Sequence, residues 1–140
     1  MQIKEANLSD LCELIMNNQQ VLYKRFSYSK EIPQNAVINN LIENLRKKNG
    51  EKVLWLGLFD SSGKIRGGVS LYASEWDAQH FGIKVGKSDF LLFDESVELY
   101  DRLKFLMELN RQLSNSKFQV VFLRHTLSDY KTIIALSKAG

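Results

Sequence analysis

Two short segments carry side chains that are suited to binding a small molecule. In the segment WDAQHFG, Trp76 could stack on a sugar or a base, and Asp77 could accept hydrogen bonds from a ligand. An Arg-His pair ends a later predicted strand, and strand ends in open α/β sheets often line a ligand crevice. The candidate substrate-binding residues are therefore Trp76, Asp77, Phe81, Arg124 and His125.

Structural roles are equally open for these residues. Trp76 and Phe81 would then fill the edge of the core, Asp77 would cap backbone N–H groups, and Gly82 would adopt a positive φ. The Arg-His pair would be a solvated cation followed by a helix cap. No catalytic residue can be assigned from the sequence. A tyrosine could act as a general acid, but none of the five tyrosines can be placed in an active site.

The composition is that of one globular domain with a modest positive charge. The 140 residues are 44% hydrophobic and 25% charged, and the formal net charge is +3. This charge could help to attract an anionic ligand such as a nucleotide sugar, but it lacks the dense stripe that nucleic-acid binding needs. No apolar run is long enough to cross a membrane and no secretion signal opens the chain, so we expect a cytoplasmic protein without a membrane partner.

Cysteine and histidine are too few for metal chemistry. Cys12 is the only cysteine, and His80 and His125 are the only histidines, so we expect neither an internal disulfide nor a bound metal. Cys12 also lies on the apolar side of a predicted helix, which favours a small buried hydrophobe over a nucleophile.

Hydrophobic spacing predicts an α/β (α+β) fold in one domain over residues 1–140, in the order β-α-α-β-β-β-α-β-α. The predicted strands are Gln2–Ala6, Lys52–Phe59, Ile65–Tyr72, Lys84–Phe93 and Phe118–His125. The predicted helices are Leu8–Tyr23, one from Pro33 to the Asn49-Gly50 stop, Ser96–Ser114, and a last one from the capping box Thr126–Asp129 to Gly140. The predicted loops and turns are Lys24–Ile32, Asp60–Gly63 and Trp76–Gly82.

Two finer predictions concern packing. Leu99, Leu103, Leu106 and Leu113 mark the buried side of the long helix, with Tyr100 and Met107 beside them. Gly67 and Gly68 within a strand indicate a bulge or the close approach of another group, and they favour this over a phosphate cradle because they lie inside a hairpin.

The element order resembles that of GNAT acetyltransferases without their last two strands. IKEANLSDLCEL resembles the first strand and helix of that superfamily, and LSDYKTIIALSKAG resembles its fourth helix. The resemblance implies a mixed, mostly antiparallel sheet flanked by helices. Because the superfamily continues with a strand after this helix, we expect the chain to be truncated from a longer one, with the last strands missing.

A narrower resemblance lies in the WDAQHFG segment. It is similar to the WDSxFFG loop of a subgroup typified by dTDP-fucosamine acetyltransferases, with Ala78, Gln79 and His80 as departures. Proteins of that subgroup look like two tandem parts. The N-terminal part carries this loop on a degenerate GNAT-like fold, and the C-terminal part binds acetyl-CoA and performs the chemistry. This chain matches the first part only.

The cofactor loop of the superfamily has no counterpart in this sequence. GNAT proteins hold the pyrophosphate of CoA on backbone N–H groups of an R/Q-x-x-G-x-G/A loop at a helix start. The corresponding junction here, Leu91–Glu98, contains no glycine and three acidic residues. We therefore assign no cofactor-binding residue and expect acetyl-CoA to bind only in the full-length protein.

These observations lead to one main hypothesis and two alternatives. The chain would be the N-terminal GNAT-like domain of an N-acetyltransferase, on the side of an amine acceptor such as a nucleotide-linked amino sugar, with a C-terminal catalytic domain as its partner. The first alternative is a non-catalytic binding or dimerisation module, which would include a homodimer. The second is a stand-alone acetyltransferase with an unusual cofactor loop.

Overall fold

One mixed sheet separates two helical layers in this protein. The computed structural model describes residues 1–23, 32–123 and 130–139. The strands are β1 (Gln2–Glu5), β2 (Lys52–Phe59), β3 (Ile65–Ala73), β4 (Val85–Lys87), β5 (Leu91–Phe93) and β6 (Val120–Phe122). The helices are α1 (Leu8–Asn17), α2 (Gln19–Tyr23), α3 (Gln34–Lys47), α4 (Glu75–Phe81), α5 (Leu99–Ser114) and α6 (Tyr130–Ala139).

The sheet is mostly antiparallel, as the resemblance implies. Its order is β1-β2-β3-β4-β6. Strand β4 pairs with Tyr72 and Ala73 of β3, and β5 pairs with the earlier residues Gly67–Val69 of the same strand. The pairs β1–β2, β2–β3, β3–β4 and β3–β5 are antiparallel, and β4–β6 is the parallel pair. The central strand β2 is apolar on both faces because both faces are covered by helices.

Each face of the sheet supports its own hydrophobic cluster. On one face Trp55 and Phe59 of β2 pack with α1, α2 and α3, where Leu11, Leu14 and Ile15 are fully buried. On the other face Leu56 and Leu58 pack with α5 and α6, through residues that include Phe105, Leu106, Leu109 and Ala135. Alternation along β2 therefore supplies both halves of the core.

A bulge divides the strand that was predicted as Lys84–Phe93 into β4 and β5. Val69 pairs with Leu91 but Tyr72 pairs with Lys87, so one more residue lies on this side than on β3. The Ser88 hydroxyl closes the bulge by donating to the Phe90 carbonyl at 2.5 Å and accepting the Phe90 N–H at 3.1 Å. The prediction of one continuous strand was wrong because both halves are apolar and nothing in their spacing marks the bulge.

Three other element boundaries differ from the prediction. Trp76–Gly82 is not a loop, because most of it forms α4, which Gly82 ends in the left-handed region at φ 66°. The first helix breaks at Asn18, whose Nδ2 group donates to the Leu14 carbonyl at 2.8 Å. The long helix begins at Leu99 rather than Ser96, since the preceding residues form a side-chain-bonded turn.

Burial on α5 agrees with the prediction in part. Leu106 is buried, and Leu99, Leu103 and Leu113 pack against the same hydrophobic cluster, as predicted. Arg102, Phe105 and Leu109 are also buried, whereas Tyr100 and Met107 are exposed. The strand β6 is shorter than predicted within the described residues, and Val120 and Phe122 are partly exposed on it. The predicted loop Lys24–Ile32, apart from Ile32, and the capping box Thr126–Asp129 lie outside the described residues.

Because Gly67 and Gly68 have no side chain, Phe93 and Leu11 can pack closely against β3. A Cβ at Gly67 would lie 2.5 Å from the ring of Phe93, and a Cβ at Gly68 would lie 2.8 Å from a methyl group of Leu11. The predicted close approach is thus confirmed. The β2–β3 pair has two register irregularities, one between Lys52 and Leu54 and one at Arg66, and neither falls at a glycine.

We expect Gly68→Ala to destabilise the fold by about 1–3 kcal/mol, because the added methyl group overpacks the contact with Leu11. Gly50→Ala is the matched control, since a Cβ there meets no atom within 4 Å. Chemical denaturation of both variants measures the difference. Equal stability of the two variants would contradict the proposed close packing of α1 on β3.

Candidate functional site

The β5–α5 junction is held by the carboxyl group of its first residue. Asp94 Oδ1 accepts the Ser96 N–H at 2.9 Å and the Ser96 hydroxyl at 2.7 Å. The Asp94 carbonyl accepts the Val97 N–H at 3.0 Å. The N–H groups of Ser96 and Val97, in the turn that precedes α5, are therefore both bonded to Asp94.

Arg102 fills the space beneath this junction. Its side chain is buried, with 2% of the residue exposed. Nε donates to the Val97 carbonyl at 2.9 Å, Nη2 donates to the Asp94 carbonyl at 3.2 Å, and Nη1 donates to the Thr132 hydroxyl of α6 at 2.8 Å. Arg102 therefore fixes the junction from one side and joins it to α6.

An ion-pair cluster holds the same junction from the other side. Arg66 lies between two carboxylates, 2.8 Å from Asp60 Oδ2 and 3.4 Å from Asp94 Oδ2. Burial alone would raise the pKa of Asp94, but the Ser96 N–H and hydroxyl and the Arg66 charge outweigh it, and the pKa lies below its usual value. Asp94 is therefore ionised at neutral pH.

These features do not fit the pyrophosphate of CoA. At this junction the Asp94 carboxylate already accepts the Ser96 N–H, so a phosphate would have to compete with it. Glu95 and Glu98 are close in sequence, and Asp101 lies in the first turn of α5. Negative side chains at a helix start compete with an anionic ligand for the same dipole. The acidic side chains around this junction therefore disfavour a polyphosphate.

An open, polar cavity of about 490 Å³ lies next to the junction. It is formed where α1 ends, α2 and α3 begin, and β5 leads into α5. Its walls are mainly carboxamides and carboxylates, with Met16 and Val21 as the apolar contribution. The polar lining residues are Asn17, Asn18, Gln19, Gln20, Gln34, Asp94 and Glu95.

The WDAQHFG segment forms a separate feature on α4. Trp76 and Phe81 are 63% and 64% exposed, so neither fills the core. The Trp76 ring stacks on His80 with 3.8 Å between centroids. Asp77 is buried and accepts from Lys87 Nζ at 2.6 Å and from the Ser74 hydroxyl. Trp76 can still stack on a ligand with its other face, whereas Asp77 is engaged within the fold.

Three of the five predicted site residues are thus not brought to the cavity. Trp76, Asp77 and Phe81 lie on α4, and none of them lines it. Arg124 and His125 lie outside the described residues. A signal for the cavity was present in the sequence as the four consecutive carboxamides Asn17–Gln20. Arg102 was also visible, because it interrupts the apolar face of α5 at helical spacing.

Two classes of feature are missing from the described part of the chain. Among residues 1–23, 32–123 and 130–139, no three His, Cys, Asp or Glu side chains are grouped so that they could hold a metal ion. In the same ranges no helix has both the length and the apolar character that a membrane crossing requires.

Known structures decide the fold. An N-acetyltransferase for ribosomal-protein alanine from Brucella melitensis aligns with a TM-score of 0.60 and 11% identity over 99% of this chain and 90% of its own. The Arabidopsis thaliana glucosamine-6-phosphate N-acetyltransferase aligns at 0.56 and 13%, over 99% and 89%. A candidate acetyl transferase from Pyrococcus furiosus aligns at 0.68 and 12%, over 98% and 90%. The chain has the GNAT acetyltransferase fold.

The two sequence comparisons, unlike the structural one, give no match. No protein-family model matches the chain, and no curated protein matches it significantly. The GNAT fold therefore rests on the arrangement of helices and strands. The function has to be argued from this chain's own residues.

We expect Arg102→Met to lower the free energy of unfolding by about 3 kcal/mol, because the Val97, Asp94 and Thr132 oxygens lose buried charged donors. The control is Arg111→Met, which removes an exposed ion pair on the same helix. Urea denaturation of both variants provides the measurement. An Arg102→Met protein as stable as the control would show that the junction does not depend on this guanidinium.

The Asp77–Lys87 ion pair predicts a pH dependence. Hydrogen bonds from Lys87 and Ser74 lower the pKa of Asp77, so its contribution to stability is present above about pH 4, the unfolded value, and is lost as pH falls through the folded value. We expect Asp77→Asn to be less stable than wild type at pH 7 and equally stable in strong acid. Glu75→Gln, an exposed change on α4, should follow the wild-type curve. A constant difference at all pH values would exclude the ion pair as its cause.

Proposed function

We propose that this GNAT-fold domain forms the acceptor side of an N-acetyltransferase, with acetyl-CoA bound outside the chain. The observation that carries the proposal is the Asp94 turn. Its carboxylate bonds to the Ser96 N–H and hydroxyl. By the resemblance, this junction corresponds to the loop with which the superfamily holds a phosphate. The fold supports acetyl transfer as the activity, whereas the acidic junction argues against binding of the cofactor by these residues.

The acceptor side is supported by what surrounds the junction. A polar cavity opens beside it, lined by two carboxylates and five carboxamides. Exposed Trp76 and Phe81 on α4 offer a second surface on which a ligand ring can stack. These residues can bind and orient an acceptor. Among the described residues we assign no base and no acid for the transfer itself.

The identity of the acceptor does not follow from the fold. The names of the structural neighbours specify acceptors as different as a ribosomal-protein alanine and glucosamine 6-phosphate. The resemblance of WDAQHFG to dTDP-fucosamine acetyltransferases suggests a nucleotide-linked amino sugar and a tandem catalytic domain. We keep both as part of the proposal.

A second candidate function is a non-catalytic binding or dimerisation module. It is favoured by β6, which pairs with β4 on one side and exposes Phe122 by 52% and Val120 by 37%. A strand of this kind can add a strand from another chain along its open edge. A sedimentation measurement distinguishes this module from a monomeric acceptor domain.

The decisive experiment is calorimetric titration of the chain with acetyl-CoA. We expect no binding at micromolar cofactor, because the Ser96 and Val97 N–H groups of the turn are bonded to Asp94 and the surroundings are acidic. The full-length protein that carries this domain should bind acetyl-CoA and transfer its acetyl group to an amine. Micromolar binding by the chain alone would overturn the proposal in favour of a stand-alone enzyme.

A further inference from the structure

The outer face of α5 presents two large apolar side chains to solvent. Tyr100 and Met107 are 69% and 58% exposed, and they lie two helical turns apart, which is about 10 Å along the helix. The buried side of the helix, with Arg102, Phe105 and Leu109, is the opposite side. We propose that a second copy of this chain covers the outer face, with the two α5 helices antiparallel. This inference does not rest on the proposed function.

An antiparallel pair makes this face complementary to itself. A two-fold axis midway between Tyr100 and Met107 brings Tyr100 of each copy beside Met107 of the partner subunit, so that the same contact forms twice. The flexible thioether of methionine adapts to the shape of an aromatic ring, and the contact between sulfur and ring is favourable. Leu103 is half-buried beside the axis and extends the apolar strip between the two contacts.

The charges along α5 select the antiparallel direction. Glu95 and Glu98 are exposed just before the helix, and Asp101 lies in its first turn, whereas Arg111 lies in the last turn. Antiparallel packing sets the acidic end of each helix against the basic end of the other, and it also aligns the two helix dipoles favourably. Parallel packing would bring like charges together at both ends.

Lys104 lies near the proposed axis, where it would approach its own copy. Its ammonium group is 5.5 Å from the centroid of the Tyr100 ring, one turn towards the N-terminal end of the helix. The Tyr100 rings of the two copies lie on opposite sides of the axis. The two Lys104 charges are therefore drawn apart, and the centre of the contact is left to the apolar side chains.

Arg111 is already held in place for a contact with the second copy. Its Nε and Nη2 groups donate to the two carboxylate oxygens of Glu108 at 2.9 and 2.5 Å, and 63% of the Arg111 side chain remains exposed. A guanidinium fixed in this way loses little freedom when a second carboxylate approaches. The proposed axis sets Arg111 level with the turn before α5 of the other copy, where Glu95 of the partner subunit is exposed.

The contact is small, so we expect a weak dimer. A helix of 16 residues is about 24 Å long, and a contact confined to two such helices stays below the roughly 1,200 Å² of stable interfaces. The net charge of +3 on each copy also opposes association. Sedimentation equilibrium from about 10 µM to about 1 mM should therefore show a shift from monomer to dimer, with a dissociation constant on the order of 100 µM.

A matched pair of variants locates the contact. Met107→Glu places a carboxylate against Tyr100 of the partner subunit, so it should weaken the dimer at least about tenfold. Met16→Glu changes an equally exposed methionine of α1, on the other face of the sheet, and should leave the dissociation constant unchanged. Both positions are exposed, so both variants should keep the wild-type urea midpoint, which shows that a lost dimer is not a lost fold.

A mixing experiment tests the antiparallel direction. Arg111→Glu and Glu95→Arg should each weaken self-association about three- to tenfold, because each sets like charges together at both ends of its own dimer. An equal mixture of the two variants should form a heterodimer about as tight as the wild-type dimer. In that heterodimer the reversed pair attracts at one end and the natural pair attracts at the other.

Three results would overturn the assignment. They are a monomer over the whole concentration range, a dimer that Met107→Glu leaves intact, and a mixture of the charge variants that associates no better than either variant alone. Phe122→Glu provides a further comparison, because it alters the exposed face of β6. A dimer that is broken by Phe122→Glu and kept by Met107→Glu would assign association to β6 and refute the α5 contact.

Discussion

The buried guanidinium of Arg102 is the contact on which the arrangement around the candidate site depends. From α5 it joins the residue after β5, the turn before α5 and the first turn of α6. Its face also lies 5.3 Å from the Phe93 ring, which packs edge-on against Phe105. A charge this deeply buried is tolerable only because several of its N–H groups have oxygen partners. The junction is therefore rigid and closed from below.

That closure has a consequence for the upper side of the junction. With Arg102 bound to the Asp94 and Val97 carbonyls, the backbone is held so that the Asp94 side chain turns back onto Ser96. The turn thereby satisfies the N–H groups of Ser96 and Val97 from within. A single aspartate at this position thus places a carboxylate immediately before the N-terminal end of α5.

The sequence predicted the layers of the fold better than the details of the site. Strong periodic signals placed β1, β2, β3, α1, α3 and α5 near their observed positions, because each buries a continuous apolar face. It failed at Ser88–Phe90, where the bulge depends on a hydroxyl bonding to its own backbone, and at α4, whose exposed Trp76 and Phe81 break the expected pattern. The acidic junction was predicted from composition alone. The cavity was not predicted, although the carboxamides Asn17–Gln20 mark one wall of it, because its other walls come from α3 and the residues after β5.

The acidic junction and the cavity share one carboxylate, that of Asp94. Asp94 occupies the N–H groups of the turn with one oxygen, Oδ1, while the other, Oδ2, faces Arg66, and the residue also lines the cavity. The carboxylate that disfavours a polyphosphate at the turn therefore also contributes its charge to the adjoining cavity, where Glu95 adds a second carboxylate. The guanidinium groups of Arg66 and Arg102 lie against the same turn and offset part of this negative charge. The junction thus places its carboxylates beside the cavity while Arg102, its buried cation, is bonded within the fold.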